Sequence, residues 1–145
     1  MPADLRFRTV WQVDAEPEVV RAALVDVGAY PSWWSSVLEV EGDEGADRTV
    51  ALRGPLPAPL RIRVSGLDAS DGVVAARLHG DVLGWCSWHL STAPAGGTRA
   101  VMQQHVMLQR RSLRALVRVA PRRLRSSHAA LMRAGEAGLR SLLAG

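Results

Sequence analysis

The chain lacks lysine altogether and has one cysteine, one phenylalanine and one tyrosine in 145 residues. A lone Cys86 excludes an internal disulfide framework and a multi-cysteine zinc site. Its apolar surroundings make it read as an inert core thiol. No segment approaches the ~20 consecutive apolar residues that a membrane span needs, so no integral membrane association is expected. The first residues carry Asp4, Arg6 and Arg8 with no apolar run, which does not read as a signal peptide; a cytoplasmic location is the expectation. Glycine-rich phosphate loops, nucleophile elbows and paired-carboxylate sites are missing. His79, His89 and His105 are scattered on outward strand positions without metal-ligand spacing, so neither a metal nor a cofactor is expected. At this length one domain over residues 1–145 is expected, burying about 70% of the unfolded chain's surface around a single core.

Acidic residues are scarce in one half only. Residues 1–81 hold 13 acids against 8 arginines, a balance of −5. Residues 82–145 hold Glu136 alone against 10 arginines, a balance of +9. Seven of those arginines fall within residues 110–125. On a continuous helix Arg114, Arg118, Arg122 and Arg125 would share one face, as a solvated surface or as a docking surface for something acidic. An anionic membrane surface is one such partner. Nucleic acid is not expected, because no aromatic residues interleave with the arginines.

What the chain has in quantity is apolar alternation. Leu5, Phe7, Thr9, Trp11 and Val13 form one face of a strand. Asp14 reads as a helix N-cap or a turn residue, with Pro17 near the first turn. Val19, Val20, Ala23, Leu24 and Val27 follow helical spacing, and Gly28 reads as the stop. Tyr30-Pro31 breaks the chain and starts a second short helix bearing Trp33-Trp34. Strands are then expected at Val37–Glu41, before a 42–47 turn, and at Thr49–Arg53. Others are expected from Leu60 through Val64, around Val74–Leu78 after an Asp71-Gly72 turn, over Gly84–Leu90, and over Ala100–Leu108. Asp81 reads as a turn residue making a local backbone hydrogen bond. From Ser112 the period becomes helical. Leu113, Leu116, Val117, Ala120, Leu124, His128, Leu131, Gly135, Leu139 and Leu142 make one stripe, and Pro121 kinks or splits it. The fold class is α+β: about seven antiparallel strands, two short helices after the first, and a long C-terminal helix.

Several stretches, in this order, carry a resemblance. They are VDAEPEVVRAAL, YPSWW, GDVLGWCSWHL, GGTR and SSHAALMRAGEAGLRSLL. The chain resembles the START-like superfamily (SRPBCC) of bacterial polyketide cyclase/dehydrase and lipid-transfer domains. The resemblance implies a helix-grip fold, a curved antiparallel sheet wrapped around the C-terminal helix with an apolar cavity between. Members bind lipids, hormones or polyketides. Some cyclise or dehydrate polyketide chains, and the superfamily has no universal catalytic motif. An acidic acyl carrier protein would then suit the arginine-rich surface as a partner.

Strand parity names the side chains that reach such a cavity. Ile62, Leu78, Trp88 and Met102 are apolar wall residues. Thr9, Gln104 and the indole N–H groups of Trp11 and Trp88 are the polar ones. His128 joins them from the helix stripe as the one acid/base candidate. Gly135 on that stripe allows a close approach to the helix backbone. Trp33 and Trp34 either plug the core or rim the cavity, and their place at the break favours the rim. The function expected is binding of a hydrophobic small molecule. The alternatives are a cyclase or dehydratase in which His128 moves a proton, and an interaction protein that uses the basic helix around a collapsed cavity.

Overall fold

Alternation of buried and exposed side chains runs along most of the strands, and it curls them into one sheet. The computed structural model describes residues 4–43 and 46–144. The strands are β1 (Asp4–Val13), β2 (Val37–Glu41), β3 (Arg48–Leu52), β4 (Leu60–Ser70), β5 (Val73–Gly80), β6 (Val82–Thr92) and β7 (Thr98–Leu108). They pair in the order β1-β7-β6-β5-β4-β3-β2, and every pair is antiparallel. The helices are α1 (Pro17–Val25), α2 (Tyr30–Trp33), α3 (Arg111–Val119) and α4 (Pro121–Leu143). This is the helix-grip arrangement, with α4 lying across the concave face.

The turn chemistry explains the tightest connection. Ser70 pairs with Val73, so Asp71 and Gly72 alone turn the chain, at φ 48° and 77°. Two positive φ values make the primed turn whose twist matches the flanking strands, and glycine occupies the second position without steric cost. The expected 42–47 turn includes Glu44 and Gly45, which lie outside the described residues.

Several expectations change. Residues Val27–Ala29 form a separate 3-10 turn, so α1 ends before Gly28. Its N-cap is Glu16 rather than Asp14, and no side chain caps it; Pro17 in the first turn supplies the pre-set φ instead. β3 begins one residue early, at Arg48. Pro121 splits the C-terminal helix, with Ala120 outside helical geometry at φ −145° and ψ 65° between the two pieces. Arg114 and Arg118 therefore belong to α3, while Arg122 and Arg125 belong to α4, and the four do not share one continuous helical face. Leu142 is exposed, and the stripe at that end is carried by Leu139 and Leu143.

Asp81 does more than close a local turn. Its Oδ2 accepts the Arg61 amide at 2.8 Å and pairs with Arg110 at 3.4 Å, while its carbonyl accepts the amides of Gln109 and Arg110. It thereby ties β4 to the β7–α3 junction. Glu136, the one acid of the basic half, is used on the edge strand. It accepts the Gln12 amide at 2.9 Å, and Arg140 donates to the Gln12 carbonyl at 2.7 Å. These two side chains occupy edge groups of β1 that would otherwise be open for pairing.

Candidate functional site

Sheet register brings the inward side chains into rows. Phe7, Gln104, Cys86 and Ala76 are successive cross-strand neighbours, and so are Thr9, Met102, Trp88 and Val74. The rows face α4, and two chambers lie between. The larger has a volume of about 140 Å³ and is lined by residues including Val50, Val64, Leu78, Trp88, Met102, Leu131 and Met132. The smaller, about 70 Å³, is lined by residues including Leu5, Phe7, Val106, Leu113, Leu124 and His128. Leu52, Ile62, Gln104 and Leu131 line both and form the partition. Together the chambers fall short of the roughly 300–1,000 Å³ of a typical ligand pocket.

Among the expected wall residues, Ile62, Leu78, Trp88, Met102 and Gln104 line the larger chamber. The tryptophan pair divides. Trp34 is on that chamber's wall and donates its indole N–H to the Leu131 carbonyl at 2.9 Å. Trp33 lines neither chamber; it stacks on Trp34 and packs edge-on to Tyr30. Both rings are 8% exposed, so neither stands at a rim. The exposed wall residue of the larger chamber is Leu67 instead.

Trp11 is also a core residue. It lies against Trp34 and Trp88 at centroid distances of 5.3 and 4.5 Å and lines neither chamber. Its buried Nε1 has no hydrogen-bond partner among the described residues, a cost of about 1–3 kcal/mol. Thr9 is half-buried opposite Met102 and lines neither chamber. Two glycines of α4 make room for the indoles. A Cβ on Gly135 would stand 2.5 Å from the Trp34 ring, and one on Gly138 would overlap the Trp33 carbonyl oxygen.

His128 sits on the wall of the smaller chamber. Its Nε2 is 3.0 Å from Gln104 Oε1, and its ring stacks on Phe7 at 3.7 Å and 12°. The Arg125 guanidinium lies 5.7 Å from the centre of the other ring, Phe7. In the tautomer with Nε2 protonated, the ring donates to this oxygen and Nδ1 keeps its lone pair. Burial, with the Arg125 charge second, lowers the pKa from 6.5 to about 4, so the ring is neutral at pH 7. Cys86, on the larger chamber's wall, is pushed up to about 11 by burial, which keeps the thiol protonated and unreactive. Tyr30 is held protonated by burial and donates its hydroxyl proton to the Leu24 carbonyl.

An apolar cleft between a seven-stranded antiparallel sheet and a C-terminal helix is now in view, and a family model agrees with it. The model described as polyketide cyclase / dehydrase and lipid transport matches residues 4–142. The chain belongs to this family. No curated protein matches the chain in sequence. Solved structures share the fold of this polyketide cyclase/dehydrase and lipid transport member. A conserved protein from Geobacillus kaustophilus aligns with a TM-score of 0.79 at 11% identity, over 97% of this chain and 95% of its own. The Zhui aromatase/cyclase from Streptomyces sp. R1128 aligns at 0.68 and 20% identity, over 97% and 92%. The di-domain ARO/CYC BexL of the BE-7585A biosynthetic pathway aligns at 0.74 and 12% identity, over 96% of this chain and 50% of that one.

Parity reading misses Tyr30, Leu67 and Met132 on the walls of this family member. Met132 was legible, since it falls four residues after His128 and three before Gly135. Leu67 was not. A register shift between Ser65 and Asp68, with Gly66 at φ 59°, interrupts the alternation of β4. Gly138 carried no sequence signal, because the chain segment it admits is more than 100 positions away.

Proposed function

We propose that the chain binds a small hydrophobic molecule, a polyketide intermediate, other natural product or lipid, between the sheet and α4. The observation that carries this reading is the larger chamber. Twenty residues line it, and all but Gln104 and Tyr30 are hydrophobic or sulfur-bearing. Tyr30 already spends its proton on a backbone carbonyl. Enclosure by apolar side chains supplies the affinity, at about 25 cal/mol per Å² of apolar surface removed from water. The volume of about 140 Å³ is close to that of an apolar cavity of ~150 Å³ known to hold benzene. Ligand identification by mass spectrometry after native purification tests the reading. The expected result is an apolar molecule that Trp34→Ala releases. A chain that co-purifies with nothing and binds no aromatic probe would end it.

A second reading, cyclisation, draws on His128. Nδ1 would take a proton from the methylene between two carbonyls, the carbanion would attack a third carbonyl, and the proton would return to the new alkoxide. A pKa near 4 makes this imidazole a weak base at neutral pH, so binding stands first. Loss of cyclised product in His128→Leu at saturating substrate is the result expected of it.

The exposed arginines of α3 and α4 support an acidic acyl carrier protein as the donor of the ligand. Arg114, Arg118, Arg122 and Arg125 are all exposed, and none has a carboxylate partner among the described residues. Arg114→Glu with Arg118→Glu should weaken carrier binding about tenfold or more at low salt and much less at high salt. Unchanged affinity at low salt would remove this partner. No helix among the described residues is long and apolar enough to cross a membrane. A cytoplasmic setting goes with this reading and is checked by cell fractionation.

A further inference from the structure

The partition between the chambers has a polar group with capacity to spare. Gln104 offers one acceptor oxygen and two N–H donors. The oxygen faces His128 Nε2 at 3.0 Å, and the amide nitrogen makes no hydrogen bond with the described residues. Two other polar side chains of the larger chamber are spent on backbone carbonyls. The Tyr30 hydroxyl donates to the Leu24 carbonyl and the Trp34 indole to the Leu131 carbonyl. Gln104 also lines both chambers, so a ligand in either one meets it.

Its orientation is set from outside the ligand. In the tautomer with Nε2 protonated, an amide rotated by half a turn would set its N–H groups against the ring N–H. The imidazole in turn is held flat by stacking on Phe7. His128 is thereby a positioning residue, which keeps the Gln104 donors turned away from itself. No acid lines either chamber, and Arg53, on the smaller one, is the charged residue among the lining side chains. An ionised ligand body would lose its hydration in the larger chamber without compensation.

We propose that Gln104 anchors the ligand by donating its amide N–H to a carbonyl oxygen, and that the ligand is an uncharged, otherwise apolar ketone of about one ring at this volume. This inference rests on the binding reading above and specifies the chemistry of the same site.

The test compares acetophenone with α-methylstyrene, which has the same shape but a C=CH₂ in place of the carbonyl. The dissociation constants of both are measured by calorimetry for the wild type and for Gln104→Met. The ratio of the two constants should shift about tenfold against the ketone in Gln104→Met, since a lost donor costs about a hydrogen bond plus the desolvation of the carbonyl. His128→Leu should shift the ratio in the same direction, whereas a merely structural role would lower both affinities alike and leave the ratio unmoved. In the wild type, the Gln104 side-chain amide proton resonances should move downfield with acetophenone and not with α-methylstyrene. If both compounds bind and neither the ratio nor the amide resonances respond, the anchor is wrong and the binding reading survives. If neither compound binds the wild type, both are overturned.

Discussion

The two ends of the space under α4 use aromatic side chains in opposite ways. At one end Trp11, Trp33, Trp34, Trp88 and Tyr30 pack on one another and on Gly135 and Gly138. The Tyr30 and Trp34 donors there are consumed by backbone carbonyls, and aromatic pairs of this kind add about 0.5–1.5 kcal/mol each beyond their burial. At the other end Phe7, His128 and Gln104 form a short stack with unspent hydrogen-bonding capacity. The first arrangement holds the helix against the sheet. The second holds polar groups ready for something else. The two ends differ in what surrounds the rings: other rings and helix glycines at one, an amide and a guanidinium at the other.

The sharpest way to break the contrast is at Gly138. A methyl group there would overlap the Trp33 backbone oxygen, which cannot swing aside as a side chain would. Gly138→Ala should cost about 3 kcal/mol or more, read as a lower urea midpoint, by forcing α4 away from the indole cluster. Wild-type stability in this variant would mean that the indole end is loosely packed and the contrast false.

A smaller effect belongs to the imidazole end. The unfolded chain protonates His128 near pH 6.5, and the folded chain does so only near pH 4. Between these values the unfolded state binds the extra proton, so stability from this group is lost as pH falls from about 6.5 towards about 4. The partly buried ring should contribute about 2 kcal/mol to that loss by pH 4.5. Urea titrations at pH 7 and pH 4.5 should show a smaller acid loss in His128→Leu than in the wild type. An equal loss in both would mean that water reaches the ring freely.

Much of this could be read before any coordinates. Period-two alternation identified β1, β5 and β7, and Asp71-Gly72 named its own turn, because side-chain parity and φ are local properties. The inward rank of Gln104 and the stripe position of His128 followed from the same parity. Other features depended on distant segments. Trp33 and Trp34 are adjacent and equally buried, and α4 packs against both, yet only Trp34 reaches a chamber. Asp81 seemed local and instead joins Arg61 to Arg110.

The sequence by itself determined the period of each element, the class of the fold and the apolar character of its concave face. Those follow from the chemistry of neighbouring residues. Tertiary structure alone decided that the tryptophan pair at the end of α2 divides between core and wall, that a bulge in β4 brings Leu67 to the chamber, and that Gln104 and His128 meet at a partition. Each of these depends on how far the sheet curls and how closely α4 approaches it, and that distance is set by packing between residues far apart in the chain.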